Sequence, residues 1–234
     1  MKRFFTLFVF AALAAGCATA PKLSPEIAGE LSSSNVAAAF YLEGKKINYD
    51  EMVYKVLWNE NRSQASVFEG SWDVDSEVTA EFSDSLASIG LASRPIFDVL
   101  PEGLYDEFVQ TVLNTRGADG YNVPMSMDSA VRDALLQNNI DYVILLRAAS
   151  YQAQKVTGFA PQFTLPSLLL VYDVRRNVQQ YDGVFLMGGK IAVEESPREV
   201  EANGLAKLKT ATNEWIHTAT ATALPEALGL DVGS

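Results

Sequence analysis

Tyr142-Val143-Ile144-Leu145-Leu146 is an unbroken apolar run introduced by Asp141. Successive side chains of a strand point to opposite faces. A strand of this composition is therefore apolar on both faces and is buried on both, so it demands a sheet with helices packed on it. Asp73–Ile89 can supply one helix. Val74, Val78, Phe82, Leu86 and Ile89 share a stripe at helical spacing, acids crowd the first turn, and Gly90 follows as a stop signal. Pro101–Asn114 offers a second, with Leu104, Phe108 and Val112 in line. A third begins after Ser126 and turns Val131, Leu135 and Leu136 inward.

Further strands are expected at Val36–Leu42, Met52–Trp58, Gln64–Gly70 and Leu91–Val99, each rich in β-branched or aromatic residues between turn-like segments. Leu168–Val174 and Val178–Met187 form a hairpin around Arg175-Arg176-Asn177. The last helix opens on Ser196-Pro197-Arg198-Glu199, which combines an N-cap serine, proline at N1 and glutamate at N3. Its apolar face runs through Val200, Leu208, Ala211, Trp215 and Ala219 until Pro225, a length of roughly 25 residues. This order predicts an α+β (mixed α/β) fold. It has a central mixed, largely antiparallel sheet, packed helices and a long C-terminal helix in one domain, residues 35–228. Residues 229–234 form a loose tail.

The N-terminus carries a different signal. Lys2 and Arg3 precede an apolar run from Phe4 to Leu13, and Leu13-Ala14-Ala15-Gly16 leads into Cys17, the one cysteine of the chain. A cationic start, a short apolar core and small residues before a cut describe a secretory signal peptide over residues 1–16. The run is too short for a permanent membrane span, which needs roughly 20 apolar residues. Leu-Ala-Ala-Gly-Cys resembles the lipobox of bacterial lipoproteins. The resemblance implies cleavage between Gly16 and Cys17, a diacylglycerol on the Cys17 sulfur and an acyl chain (palmitate or similar) on its amino group.

No cofactor beyond that covalent lipid is expected, and no metal site. With Cys17 lipidated no thiol is left, which removes disulfides, zinc–thiolate sites and a cysteine nucleophile. Residues 17–34, small, polar and proline-containing, read as the lipidated end and a flexible tether. Ala18 and Thr19 after the cysteine, with no Asp, resemble the pattern of outer-membrane cargo, which implies attachment facing the periplasm. A formal net charge of −11, more negative still once Lys2 and Arg3 are removed, argues against a nucleic-acid partner. The 48 % hydrophobic content, with 12 Phe and 9 Tyr, suffices for a core held by burial alone.

A second resemblance rests on three segments. Asp141-Tyr142-Val143 opens the buried strand, Leu169–Asp173 forms an apolar strand ending in Asp, and Tyr181-Asp182-Gly183 closes the next one. Over about residues 65–224 this pattern resembles the α/β domain of the curli-secretion lipoprotein, of the lipoprotein activators of penicillin-binding proteins, and of the amino-terminal domain of TolB. Arg176-Asn177 stands where that pattern has Thr-Gly. A shared fold of this kind carries no function by itself.

Candidate chemistry is sparse. His217, the single histidine, falls about 200° around the helix from the apolar face and is expected in solvent. A general base there would need a nucleophile, and no Gly-x-Ser-x-Gly elbow accompanies it. Asp73, Asp75, Glu77, Glu81 and Asp84 lack the spacing of a calcium loop and read as a solvated helix face; Glu194-Glu195 reads the same way. Gly188-Gly189-Lys190 lacks the glycine spacing of a phosphate loop, and Asn61-Arg62-Ser63 is a sequon by composition only. Gly158–Phe163, with Phe159 and Phe163, reads as a connector between strands that could meet a protein partner. The sequence thus leads to a non-enzymatic binding or scaffold lipoprotein of the cell envelope with a periplasmic or envelope protein partner. A subunit of an oligomeric envelope assembly or secretion system is the alternative, and a carboxylate-dependent envelope hydrolase the third reading.

Overall fold

The computed structural model of the protein describes residues 23–54, 58–68, 70–114, 124–185 and 190–230. Gly16 and Cys17 lie outside them. The chain runs α1 (Pro25–Leu31), β1 (Asn35–Leu42), β2 (Lys46–Tyr54), β3 (Asn59–Val67), α2 (Val74–Ser88), β4 (Ala92–Pro95) and a 3-10 turn (Ile96–Asp98). It continues through α3 (Glu102–Leu113), α4 (Ser129–Gln137), β5 (Tyr142–Ala148), β6 (Tyr151–Val156), β7 (Gln162–Thr164), β8 (Ser167–Asp173) and β9 (Val178–Phe185), and ends with α5 (Pro197–Ala202) and α6 (Ala206–Leu228). This is an α+β fold with mixed sheets and a long C-terminal helix.

Two sheets share the strands where one was expected. Their orders are β4-β1-β5-β8-β9 and β3-β2-β6-β7. β1 is parallel to β4 and β5, and β2 is parallel to β6; the other pairs are antiparallel. β1 leads into β2 and β5 into β6, so the second sheet extends the first across a bend. The Glu43 and Gly44 amides still bond the Ala148 and Ala149 carbonyls there, at 2.9 and 2.7 Å.

The first sheet is covered on both faces. Val36, Ala38, Phe40, Ile144, Leu146, Leu169 and Val171 pack in one apolar cluster with α2 and α6 residues; Ala37, Ala39, Val143, Leu145, Leu170 and Tyr172 pack in another with α3 and α4 residues. The apolar run Tyr142–Leu146 is fully buried within β5, as its pattern requires. Gly183 in β9 has a packing reason: a Cβ there would sit under 3 Å from three atoms of the Tyr181 phenol.

α2 also completes the sheet. β4 pairs with β1 only from Asn35 to Ala38, where Pro95 ends the ladder. Beyond that point the Phe40 amide donates to Thr79 Oγ1 and the Leu42 amide to Asp75 Oδ1, each at 2.9 Å. Residues four apart on one helix face thus meet alternate amides of a strand. Asp75 is consequently buried, against the expectation of a solvated acid; Asp84 on the same helix is exposed. Asp75→Ala should leave the Leu42 amide unsatisfied and cost about 1–3 kcal/mol. Asp84→Ala should change stability by less than about 0.5 kcal/mol. Urea midpoints of the two variants make the comparison.

Other elements depart from expectation for identifiable reasons. The tether expected through residue 34 holds α1, capped by Ser24 and started by Pro25, with Leu23, Ala28 and Leu31 buried. Asp128, not Ser126, caps α4, accepting from the Ala130 amide at 2.7 Å. β2 ends at Tyr54, which pairs with Asn59 of β3, so the expected strand Met52–Trp58 is strand only to Tyr54 among the described residues; its residues 55–57 lie outside them. Leu91–Val99 yields only the four-residue β4 and the 3-10 turn. The terminal helix has its capping box at Ser196 but breaks after Ala202, where Gly204 and Leu205 take positive φ of 63° and 64°. α6 then passes through Pro225 and ends on Gly229 in the left-handed conformation. Of the expected loose tail, residues 231–234 lie outside the described residues.

Candidate functional site

Three places bring polar chemistry together. The first joins α1 to the β8–β9 turn. Arg176 forks onto Glu30, with Nη1–Oε2 at 2.7 Å and Nη2–Oε1 at 2.8 Å, and reaches Asp173 Oδ2 at 2.6 Å. The Tyr142 hydroxyl donates to Glu30 Oε2 at 2.8 Å. Asp141 accepts from the Asn35 amide at 3.0 Å and pairs with Arg175. Residues from three separate sequence segments, Glu30, Asp141-Tyr142 and Asp173–Arg176, thus line one cleft of about 420 Å³. Both guanidinium groups are engaged by its three carboxylates, so the cluster works as a clamp on α1.

That clamp is sensitive to acid. The Arg176 hydrogen bonds, and next the Tyr142 hydroxyl, pull the Glu30 carboxyl down to about 2 from its ordinary 4.5. Burial, then the Glu30 hydrogen bond, pushes the Tyr142 phenol up to about 12. With α1 undocked, Glu30 takes up its proton more readily than in the clamp. Its stabilisation is therefore complete above about pH 4.5 and is lost as pH falls toward 2. Amide exchange across Ala28–Leu31 should accelerate in that window, and Glu30→Gln should remove the pH dependence.

A second cleft, about 450 Å³, lies past the C-terminal end of β1, between the start of α2 and α3, lined by Tyr41, Glu43, Lys45, Asp75, Tyr105 and Asp106 among others. Open α/β sheets bind ligands in such crevices. Here Lys45 holds Asp75 at 3.2 Å and the buried Arg147 holds Glu43 at 2.6 Å. Burial raises the Asp75 carboxyl above its ordinary range, and raises the Tyr41 and Tyr105 phenols too.

The third is the outer face of the second sheet. Ile47, Tyr49, Tyr151, Ala153 and Phe163 point from it into the core. Their neighbours point the other way and are not covered. Across the strands Ser63 lies beside Asp50, Gln154 and Gln162; the next row is Ala65, Asn48, Gln152 and Thr164; a third is Asn61, Met52 and Val156. Asp50 is the single charged residue of these rows, and the Ser63 hydroxyl donates to it at 2.5 Å. Asn48 Nδ2 and Gln152 Nε2 both donate to Ser150 Oγ, at 2.8 and 2.9 Å. Tyr54, Trp58 and Phe159 stand 54 %, 60 % and 70 % exposed at one end. The Thr157 amide bonds the Met52 carbonyl at 3.1 Å and Thr157 Oγ1 takes the Tyr54 amide at 3.2 Å, which holds the β6–β7 loop against β2.

The residues singled out in the sequence disperse. His217 spans two helices: Nδ1 lies 2.7 Å from Ser85 Oγ and Nε2 2.9 Å from Glu81 Oε2. This has the composition of a catalytic triad without its access. Ser85 is 2 % exposed and sends its proton to the Glu81 carbonyl at 2.7 Å, so the trio staples α2 to α6. Glu195 pairs with Lys207 at 2.5 Å. Asp73 caps α2, its Oδ1 accepting from the Ser76 amide at 3.4 Å. Of the Gly158–Phe163 loop, Phe159 is exposed as expected, whereas Phe163 is buried in β7. Gly188 and Gly189 lie outside the described residues. Among those residues no cluster of three or more His, Cys, Asp or Glu side chains is placed to hold a metal ion, and no helix is long and apolar enough to cross a membrane. Neither protein-family models, nor curated proteins, nor solved structures give a match to this chain.

Proposed function

We propose that this chain is a lipid-anchored envelope protein whose domain serves as a non-enzymatic binding or scaffold component on the periplasmic side of the outer membrane. The observation that carries the reading is the second sheet, which buries Ile47, Tyr49, Tyr151, Ala153 and Phe163 in the core from one face and leaves the other face open. Met52, Tyr54, Trp58 and Phe159 at that open end are the residue types that anchor interfaces. The sequence supports the anchor through Leu13-Ala14-Ala15-Gly16-Cys17. Since Leu23 is already buried, the leash from Cys17 reaches no more than about 20 Å, well short of the tether expected from composition. The domain therefore stays close to the lipid, with α1 at the near end of the chain path. β1 and β2 lead away from α1 toward the aromatic end.

Cys17→Ser should move the protein from the membrane pellet to the soluble fraction, and mass spectrometry of the wild-type amino terminus should show a lipidated Cys17. A bare thiol or a different start would overturn the anchor. One observation favours assembly instead: β3 is a nine-residue strand at the edge of its sheet, and free edges invite strand addition. Native mass in detergent distinguishes a ring from a monomer.

A further inference from the structure

We infer that the open face of β3-β2-β6-β7 is a docking platform for an uncharged glycan strand, an inference that rests on reading the domain as a binding module. Sugars offer hydroxyls that donate and accept together, and flat faces of C–H bonds. A side-chain amide matches the first, since one plane carries two donors and an acceptor oxygen with two lone pairs. Asn48, Asn61, Gln152, Gln154 and Gln162 stand on this one face. Two of these amides, Asn48 and Gln152, are held in orientation by Ser150 Oγ and the Asp50 carboxylate by the Ser63 hydroxyl, so these three groups need little ordering on binding. The exposed rings of Tyr54, Trp58 and Phe159 supply apolar plates for the C–H faces.

The occupant follows from charge and desolvation. A chain of net charge −11 repels anionic lipid and acidic polymers, whereas a neutral polymer meets no such field. An apolar protein surface laid on this face would strip water from the amides without replacing their hydrogen bonds. A polyhydroxylated strand replaces them. Four strands at roughly 4.8 Å spacing make the face about 14 Å across, and a cleft of about 240 Å³ opens on it around Asp50, Met52, Asn61, Ser63 and Gln154, with the opposite charges of Glu51 and Lys155 also at its edge.

Tryptophan emission reads the site directly, because Trp72 and Trp215 are 3 % and 5 % exposed while Trp58 is 60 % exposed. The full chain, in a detergent without a sugar headgroup, is titrated with chitohexaose, cellohexaose and maltohexaose. A saturable emission change with at least one of them is the expected result. Calorimetry should then show Trp58→Ala and Gln154→Leu each weakening binding at least fivefold with the melting temperature unchanged. No response to any of the three up to about 10 mM, weaker than specific recognition, overturns the glycan. So does equal binding by both variants, or a response to an acidic peptide or anionic vesicles alone. Failure here with Cys17-dependent membrane retention intact removes the glycan and leaves the anchored binding module; loss of that retention removes the anchor whatever the sugars do.

Discussion

Phe82→Ala should lower the stability of the folded chain by about 3–5 kcal/mol, the largest single-residue effect expected in this protein. Phe82 is fully buried in α2, at the centre of the stripe Val74, Val78, Phe82 and Leu86, and every member of that stripe is 0 % exposed. α2 packs against β1, β4 and α6 at once, so the space left by the ring borders two layers and cannot close by moving one of them. Against a total stability of about 5–15 kcal/mol, the loss should lower the melting temperature by about 10 °C or more. Urea unfolding followed by circular dichroism gives the number, and an unchanged m-value would show that the unfolded state is the same. A loss below about 1 kcal/mol would mean that α2 is not central to the core. Phe82→Leu keeps most of the volume and should recover more than half of the difference.

That stripe is also where sequence and structure agree best, because a helical period over fifteen residues repeats one message several times. β5 was equally legible, since a strand apolar on both faces has few alternatives. Elements held by partners rather than by their own residues were not. β3 (Asn-Glu-Asn-Arg-Ser-Gln-Ala-Ser-Val) was expected only from Gln64 onward; its first half, Asn59–Ser63, has little strand propensity, and its ladder with β2 makes it a strand. Pro225 should have ended α6, but Leu224 and Leu228 are 0 % exposed, and their burial outweighs a penalty of about 3 kcal/mol. α1 was hidden by composition. Ser24-Pro25-Glu26 carries the same N-cap and N1 signature that located α5, yet its serines read as a linker.

The candidate site was harder to read for a topological reason. Ser63, Asp50, Gln154 and Gln162 become one row only through the registers of three strand pairs, and two of those pairs join segments about a hundred residues apart or fall beside a loop. Nothing local marks Gln154 as a neighbour of Asp50. Phe159 was visible as an aromatic in a loop, and Trp58 should have been read with it as a second exposed ring once β2 was ended at Tyr54. Asp75 shows the converse: its acidic context suggested solvent, and only the early end of β4 explains why a carboxylate is wanted beneath β1.

Glu43→Ala should cost about 1–3 kcal/mol, more than its own partly exposed position suggests, because it withdraws an acceptor from Arg147. The guanidinium is 6 % exposed and meets Glu43 Oε1 at 2.6 Å, where β1 bends into β2. Withdrawing that carboxylate takes an acceptor from a buried cation whose direct neighbours across the sheet are Tyr41 on β1 and Leu168 on β8. Breaking a buried pair from one side carries this penalty, whereas replacing both members with apolar residues of similar volume is often neutral or better. Glu43→Leu with Arg147→Met should therefore unfold at a higher urea concentration than Glu43→Ala alone. A double variant no more stable than the single one would mean that the pair sets the bend itself. In that case the registers of β2 and β6 should also shift, and amide exchange along Ile47–Met52 would report it.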